Sequence, residues 1–379
     1  MANITRRNFV KAAGAAAVAA AATGALAGCS SSSDEETSTD TSSDSGSTEV
    51  EESEEETTEV ESVETRTVYV SADWVKSALD GEQEGYEDAI VAEVGYGDVS
   101  TCESYAAGHI PGSIYVDICE VEDATGDEEG AYNLLDASEV EAYALAHGIT
   151  KDTKVILYGQ DPCGVARQAY GYIWLGVEDV KILNGGIDAW ESAGNETETT
   201  ENEGVAADDF GTETPAQSQY WTSIEDAKDR LENDDAFQLV SIRSEEEWLG
   251  ETSGYTYMDK AGEPEGAVWG KGPDTAADVN QFLNDDGTVM DLSGLEEIWA
   301  DCDFTLDDEL AFYCGTGWRA CVPFLVVYQE GYDNISLYDG GWYEWLMHDD
   351  YPVQVGDPAS DDCEYMTVAE LPTGMASAE

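Results

Sequence analysis

The chain repeats itself, and the spacing of the repeat constrains its fold more than any other feature. Leu183-Asn184-Gly185-Gly186, followed by Trp190, returns as Tyr338-Asp339-Gly340-Gly341, followed by Trp345, at an offset of 155. Tyr158 returns as Tyr313 at the same offset, and Gly112 returns as Gly266 at 154. Three landmarks at a near-constant spacing indicate duplication, so the chain holds two copies of one unit.

Within the first copy, strand-like and helical runs alternate. Val68-Tyr69-Val70, Ala89 to Val94, Lys154 to Tyr158 and Val180 to Leu183 read as strands. Ala72 to Leu79, capped by Ser71, Ser138 to His147 and Val165 to Trp174 read as helices, and Gly185-Gly186 opens a last one. This alternation predicts an α/β fold with two tandem units, each a parallel sheet with helices on both faces. The units are expected at residues 67–200 and 220–356. Gly194 to Gln219 is polar and reads as a linker, Ser223 reads as a helix cap, and residues 357–379 read as an acidic tail.

Chemistry concentrates in the second unit. The strand-like run Leu310 to Tyr313 ends in Cys314, then Gly315-Thr316-Gly317-Trp318-Arg319 leads into a helical run from Ala320 to Tyr328. Glycines let a backbone curl so that its N–H groups converge on one point, and the following helix adds its positive end. A cysteine at the rim of such a cradle is expected to ionise readily. The equivalent position in the first unit, 155 residues earlier, is Gly159, so that unit lacks the nucleophile. Cys163 lies four residues further on and reads as a loop thiol or disulfide partner.

This loop resembles the active-site loop of the rhodanese (sulfurtransferase) family, and Gly108-His109-Ile110-Pro111-Gly112-Ser113 resembles the turn near the start of a rhodanese domain. The Cys-x4-Arg spacing from Cys314 to Arg319 is that of the sulfur-carrying form; the related phosphatases have one residue more. The resemblance implies tandem rhodanese-like domains, the first catalytically silent (67–200) and the second catalytic (220–356). It implies a sulfurtransferase in which Cys314 carries a persulfide between a small thiosulfate- or mercaptopyruvate-type donor, or a persulfide donor, and a thiol, cyanide or protein acceptor. Gly315, Thr316, Gly317, Trp318 and Arg319 would bind the donor. Arg319 either faces the donor anion or pins the loop to an acidic neighbour.

Two departures matter. Ser241-Ile242-Arg243 keeps an arginine but loses the preceding aspartate, and Glu247 stands where the resemblance puts a substrate arginine. A carboxylate there is expected to repel an anionic donor. Arg243 is either a compensating donor contact or a structural ion-pair partner. The competing reading is a sulfane-sulfur carrier or envelope binding module without efficient turnover. Tyr255, Tyr257 and Met258, in an insertion from Gly254 to Ala261, with Trp248 and Trp269, either shape a pocket or fill core. Cys321 reads as a core residue and Cys363 as part of a mobile tail.

Targeting and composition set the remaining bounds. Thr5-Arg6-Arg7-Asn8-Phe9-Val10-Lys11 resembles a twin-arginine export signal, and Leu26-Ala27-Gly28-Cys29 ends the apolar run from Ala12 in a lipobox-like motif. Residues 1–29 are therefore expected to be a signal, with Cys29 lipidated to anchor the protein to the membrane outside the cytoplasm. Residues 30–66 read as a disordered acidic tether. With 83 acidic and 15 basic residues the net charge is −68, which argues against nucleic acid as a partner. Either habitat or function accounts for that acidity. Six cysteines besides Cys29 and Cys314 allow three disulfides, although folded export from a reducing compartment argues against dependence on them. Three histidines and no Cys-x-x-Cys give no expected metal site, and no cofactor is implied.

Overall fold

The computed structural model describes residues 61–123 and 132–377. The twin-arginine motif, the lipobox with Cys29 and most of the acidic tether lie outside the described residues. Among the described residues no helix is long and apolar enough to cross a membrane.

The first domain contains β1 (Tyr69–Val70), α1 (Ala72–Leu79), β2 (Ile90–Gly95), α2 (Glu103–Ala107), β3 (Ile114–Asp117), α3 (Ala137–Ala146), β4 (Lys154–Tyr158), α4 (Pro162–Leu175), β5 (Asp179–Leu183) and α5 (Gly186–Ser192). The second contains β6 (Trp221–Thr222), α6 (Ile224–Asn233), β7 (Phe237–Ser241), α7 (Glu245–Trp248), β8 (Glu263–Pro264), β9 (Val268–Trp269), α8 (Leu292–Trp299), β10 (Glu309–Tyr313), α9 (Cys321–Gln329), β11 (Ile335–Tyr338), α10 (Gly341–Trp345), β12 (Pro352–Val355) and β13 (Glu364–Thr367). The two five-stranded sheets run β1-β5-β4-β2-β3 and β6-β11-β10-β7-β9, and every pairing within them is parallel. The duplicated α/β architecture expected from the repeat is therefore present. Ser71 and Ser223 cap α1 and α6 as expected, each accepting a backbone N–H three residues on.

Successive residues of a strand face opposite sides of its sheet. In β10, Leu310 and Phe312 join a core that runs through both domains, whereas Ala311 and Tyr313 face a second core with Trp342 and Trp345. The shared core is built where α4 meets α9, with Tyr170 edge-on to Phe324 at 5.1 Å. The domains thus meet around a pseudo-dyad that also orders the polar contacts. Asn184 exchanges two hydrogen bonds with the backbone of Val289 (2.7 and 3.0 Å). Its repeat partner Asp339 accepts from the N–H of Leu134 (2.7 Å), which is 155 residues before Val289. The symmetry breaks in charge: Asp339 also pairs with the fully buried Arg167 of α4, which is held as well by Glu122.

Three boundaries differ from expectation. Residues 64–66 already pack on the fold: Arg66 donates to the carbonyls of Tyr328 and Tyr332, and Lys181 donates to those of Glu64 and Thr65. The stretch from Gly194 to Gln219 is not a loose linker. Glu198 exchanges backbone bonds with His109, Ala207 and Ala216 donate to Leu145 and Leu175, and Phe210 is buried. Nor is the tail a free acidic run, because β13 extends an antiparallel sheet of order β13-β12-β8, and Val368 and Leu371 enter the second core. Cys363 is fixed there, 3.5 Å from the carbonyl of Gly356. Backbone pairing supplies much of this order, and composition does not register it.

Candidate active site

Cys314 follows directly on β10, and the loop to α9 turns back under α10. The N–H groups of Trp342 and Tyr343, in the first turn of α10, donate to the carbonyls of Cys314 and Gly315, both at 2.9 Å. This close approach explains the repeated Gly-Gly. Gly341 has φ +56°, and a Cβ on it would lie 2.4 Å from the Cys314 carbonyl oxygen. Gly186 repeats the arrangement at φ +59°, with a Cβ placed 2.4 Å from the carbonyl of Gly159. In sequence these glycines mark the repeat and open a helix; in the fold they also let α10 hold the loop. Gly159 itself has no space for a side chain, since a Cβ would come within 2.6 Å of the Val94 carbonyl. The first domain's loop is shut at the position where the second carries its thiol.

The ends of the loop are locked by charge. Arg319 is 2% exposed and donates to both carboxylate oxygens of Glu247 (2.8 and 3.0 Å) and to the hydroxyl of Tyr255 (3.0 Å). Of the two roles open to it, Arg319 takes the pinning one. Glu247 closes a capping box with Ser244 at the start of α7 and also accepts from Arg243 (3.1 Å). Burial alone would raise its carboxyl, but the guanidiniums of Arg319 and Arg243 prevail and hold it at about 2. Glu247 therefore presents no free carboxylate to a donor, which corrects the expectation of simple repulsion. Of its two readings, Arg243 takes the ion-pair one. It is fully buried, bonded to Glu263 (2.8 Å) and to the carbonyls of Gly262 and Ser253 (2.7 and 3.0 Å), and so it frames the site without lining it. Burial pushes Glu263 up to about 7, against the pull of Arg243, and the Tyr313 hydroxyl donates to it.

Trp318 leaves the loop toward the first domain and stacks on Tyr96, with centroids 5.9 Å apart and planes at 10°. Thr316 and Gly317 stay in the loop, where Gly317 takes φ +78° and a Cβ would collide with Asp339. Cys314 is wholly covered. The insertion forms the cover, and a Cβ on Gly315 would lie 2.2 Å from the Tyr255 ring. Tyr257 meets Tyr343 of α10 and Tyr132 of the first domain, all three pairs having centroids 5.3–5.5 Å apart. Tyr132 adopts φ +61°, which is unusual for a bulky residue and directs a first-domain ring into this cluster. Trp248 and Trp269 stack on each other at 6.3 Å in the second core, as expected of packing residues.

All seven described cysteines are free thiols. Burial, together with neighbouring negative charge, pushes Cys163 and Cys321 well up. Both behave as core thiols, and Cys321 donates to the Gly317 carbonyl at 3.3 Å.

Comparison with known proteins fits this geometry. The rhodanese-like domain model matches residues 71–193 and again 223–348. The chain belongs to the rhodanese family. Escherichia coli K12 thiosulfate sulfurtransferase YnjE is 40% identical over 258 residues, which is 68% of this chain and 58% of that protein. This chain thus spans little more than half of YnjE. A putative thiosulfate sulfurtransferase of Haloferax volcanii is 30% identical over 77% of this chain and 98% of its own length. These relatives and the two domains place the rhodanese-family chain among the sulfurtransferases. Among solved structures, EanB with a cysteine persulfide and ergothioneine superposes with a TM-score of 0.71 at 30% identity, covering 77% of this chain and 71% of that one. EanB variants are substituted at a tyrosine 59 residues before that cysteine and at a threonine two residues after it. In this chain those spacings from Cys314 fall on Tyr255 and Thr316.

Proposed function

We propose that Cys314 carries sulfur as a persulfide. Its thiolate attacks the outer sulfur of a donor of the thiosulfate or 3-mercaptopyruvate type. A Cys314 S–S bond forms as the donor's bond to that sulfur breaks, and sulfite or pyruvate leaves. A thiol, cyanide or protein nucleophile then takes the outer sulfur and regenerates the thiolate. The observation that carries this reading is the held loop itself. Its carbonyls are engaged by α10 and its end is pinned by Arg319 and Glu247, so its conformation is set before a donor arrives. Gly315 to Trp318 are the proposed donor contacts, with Arg319 acting through position. The test is intact mass after reduction and exposure to each donor. Gain of one sulfur atom, removed by cyanide and absent from Cys314→Ser, is the expected result; no gain with either donor refutes this donor class.

A second reading of the acceptor is favoured by Tyr255 and Thr316, whose spacing matches EanB. Arg243, Arg319 and Arg167 are each already paired with carboxylates, and tyrosine rings cover the thiol. Such surroundings suit the trimethylammonium and imidazole groups of a zwitterionic acceptor of the kind named for EanB, hercynine. Transfer of sulfur from persulfidated protein to hercynine, followed by mass, separates it from transfer to cyanide or a simple thiol. Arg6-Arg7 and the Leu26–Cys29 motif further support export and membrane anchoring through lipidated Cys29. Loss of membrane association in Cys29→Ser tests that.

A further inference from the structure

We propose that residues 372–377 are a strap that holds the cover over Cys314 shut, and that access to the thiol is gated by release of this strap. The cover, residues 253–262, is fixed from beneath at both ends, because Arg243 donates to the carbonyls of Ser253 and Gly262. Gly254 and Gly262 stand at these ends with φ +80° and +144°, so the segment between them is bounded by two conformationally permissive residues. Its crest is held from outside by residues 374–377. Ser377 N–H donates to the Tyr255 carbonyl (3.0 Å), Met375 N–H to the Asp259 carbonyl (3.1 Å), and Gly374 N–H to the Asp259 carboxylate (2.8 Å). The Met375 carbonyl in turn accepts from Ser253 N–H (2.9 Å).

The strap differs from the tail that precedes it. Up to Leu371 the tail is anchored by buried side chains and by β13. From Pro372 to Ser377 no side chain is buried, and the four bonds just described run through the strap's main chain. Bonds of this kind at a surface are nearly balanced by bonds to water, so such a segment opens locally far more readily than the domain unfolds. Under the cover the thiol is wholly buried, and the Tyr255 ring lies against Gly315 while its hydroxyl accepts from Arg319. A donor or acceptor reaches Cys314 only when this ring moves. The strap is bonded to the Tyr255 backbone, so its release frees the residue that has to move.

The proposal takes Cys314 as the reactive thiol, as the proposed function does, but its test reads access and needs no sulfur transfer. Reduced protein is treated with iodoacetamide, and alkylation is followed by peptide mass at each cysteine. A chain ending at Leu371 is compared with the full chain, and so is full-length Met375→Pro/Ser377→Pro, which removes two of the strap's N–H donors. Cys314 is expected to react about tenfold faster or more in both variants. Partly exposed Cys302, which packs on the shared core and not under the cover, should keep its rate, and buried Cys163 and Cys321 should stay protected. Equal Cys314 rates in the full chain and the double-proline variant overturn the proposal, whether or not the shortened chain folds. A parallel rise at Cys163 and Cys321 in the double-proline variant overturns it too, because exposure would then be global.

Discussion

Replacing Glu247 by glutamine leaves its size and removes the charge that Arg319 and Arg243 share. The structure sets the magnitude. The carboxyl is held at about 2, against an ordinary 4.5. At about 1.4 kcal/mol per pKa unit, that difference corresponds to about 3 kcal/mol of stability. Because the folded-state value is depressed, the contribution is complete above the unfolded value of 4.5 and is lost as pH falls from there through 2. Glu263 of the same network, raised to about 7, is mostly protonated below pH 6, which leaves Glu247 as the network's titrating group in that window. Urea unfolding of wild type and Glu247→Gln should therefore differ by about 3 kcal/mol near pH 6, and the gap should shrink by about 2 kcal/mol by pH 3. The variant should also lose sulfur loading at Cys314, since Arg319 is no longer pinned. A gap below about 1 kcal/mol at pH 6, or one that is constant down to pH 3, would refute the reasoning.

Three further outcomes follow from the same geometry. Gly341→Ala places a methyl group 2.4 Å from the Cys314 carbonyl at φ +56°, and thermal or urea unfolding should show a loss of more than about 2 kcal/mol. Gly315→Ala meets the movable tip of the Tyr255 ring, so it should cost only about 1 kcal/mol while speeding Cys314 alkylation; unchanged alkylation would remove Tyr255 as the cover. Asp339→Asn can keep the bond from Leu134 but takes a carboxylate from buried Arg167, and equilibrium unfolding should fall by about 2 kcal/mol, whereas Asn184→Ala, which breaks a neutral contact, should cost about half as much.

The sequence by itself determined the duplication, the parallel α/β architecture and the position of the candidate nucleophile. Those properties are written locally: short continuous apolar runs make strands buried on both faces, Ser71 and Ser223 make caps, and a repeat at constant offset copies whatever the first unit forms. Cys314 was legible because it ends an apolar run and is followed by glycines, and Gly159 was legible as its vacant counterpart by subtraction. Tertiary structure alone decided the roles of the charged residues. Whether Arg319 faces a donor or a carboxylate, and whether Glu247 repels or braces, depends on a contact between residues 72 positions apart. The energy of such a contact depends on burial, which a sequence does not display. The same holds for the cover over the thiol and for the strap. The cover joins Tyr132 of one domain to Tyr257 of the other, and the strap is bound through main-chain groups that every residue carries. Side-chain pattern reports which face of an element is apolar; it does not report which distant backbone will lie against it.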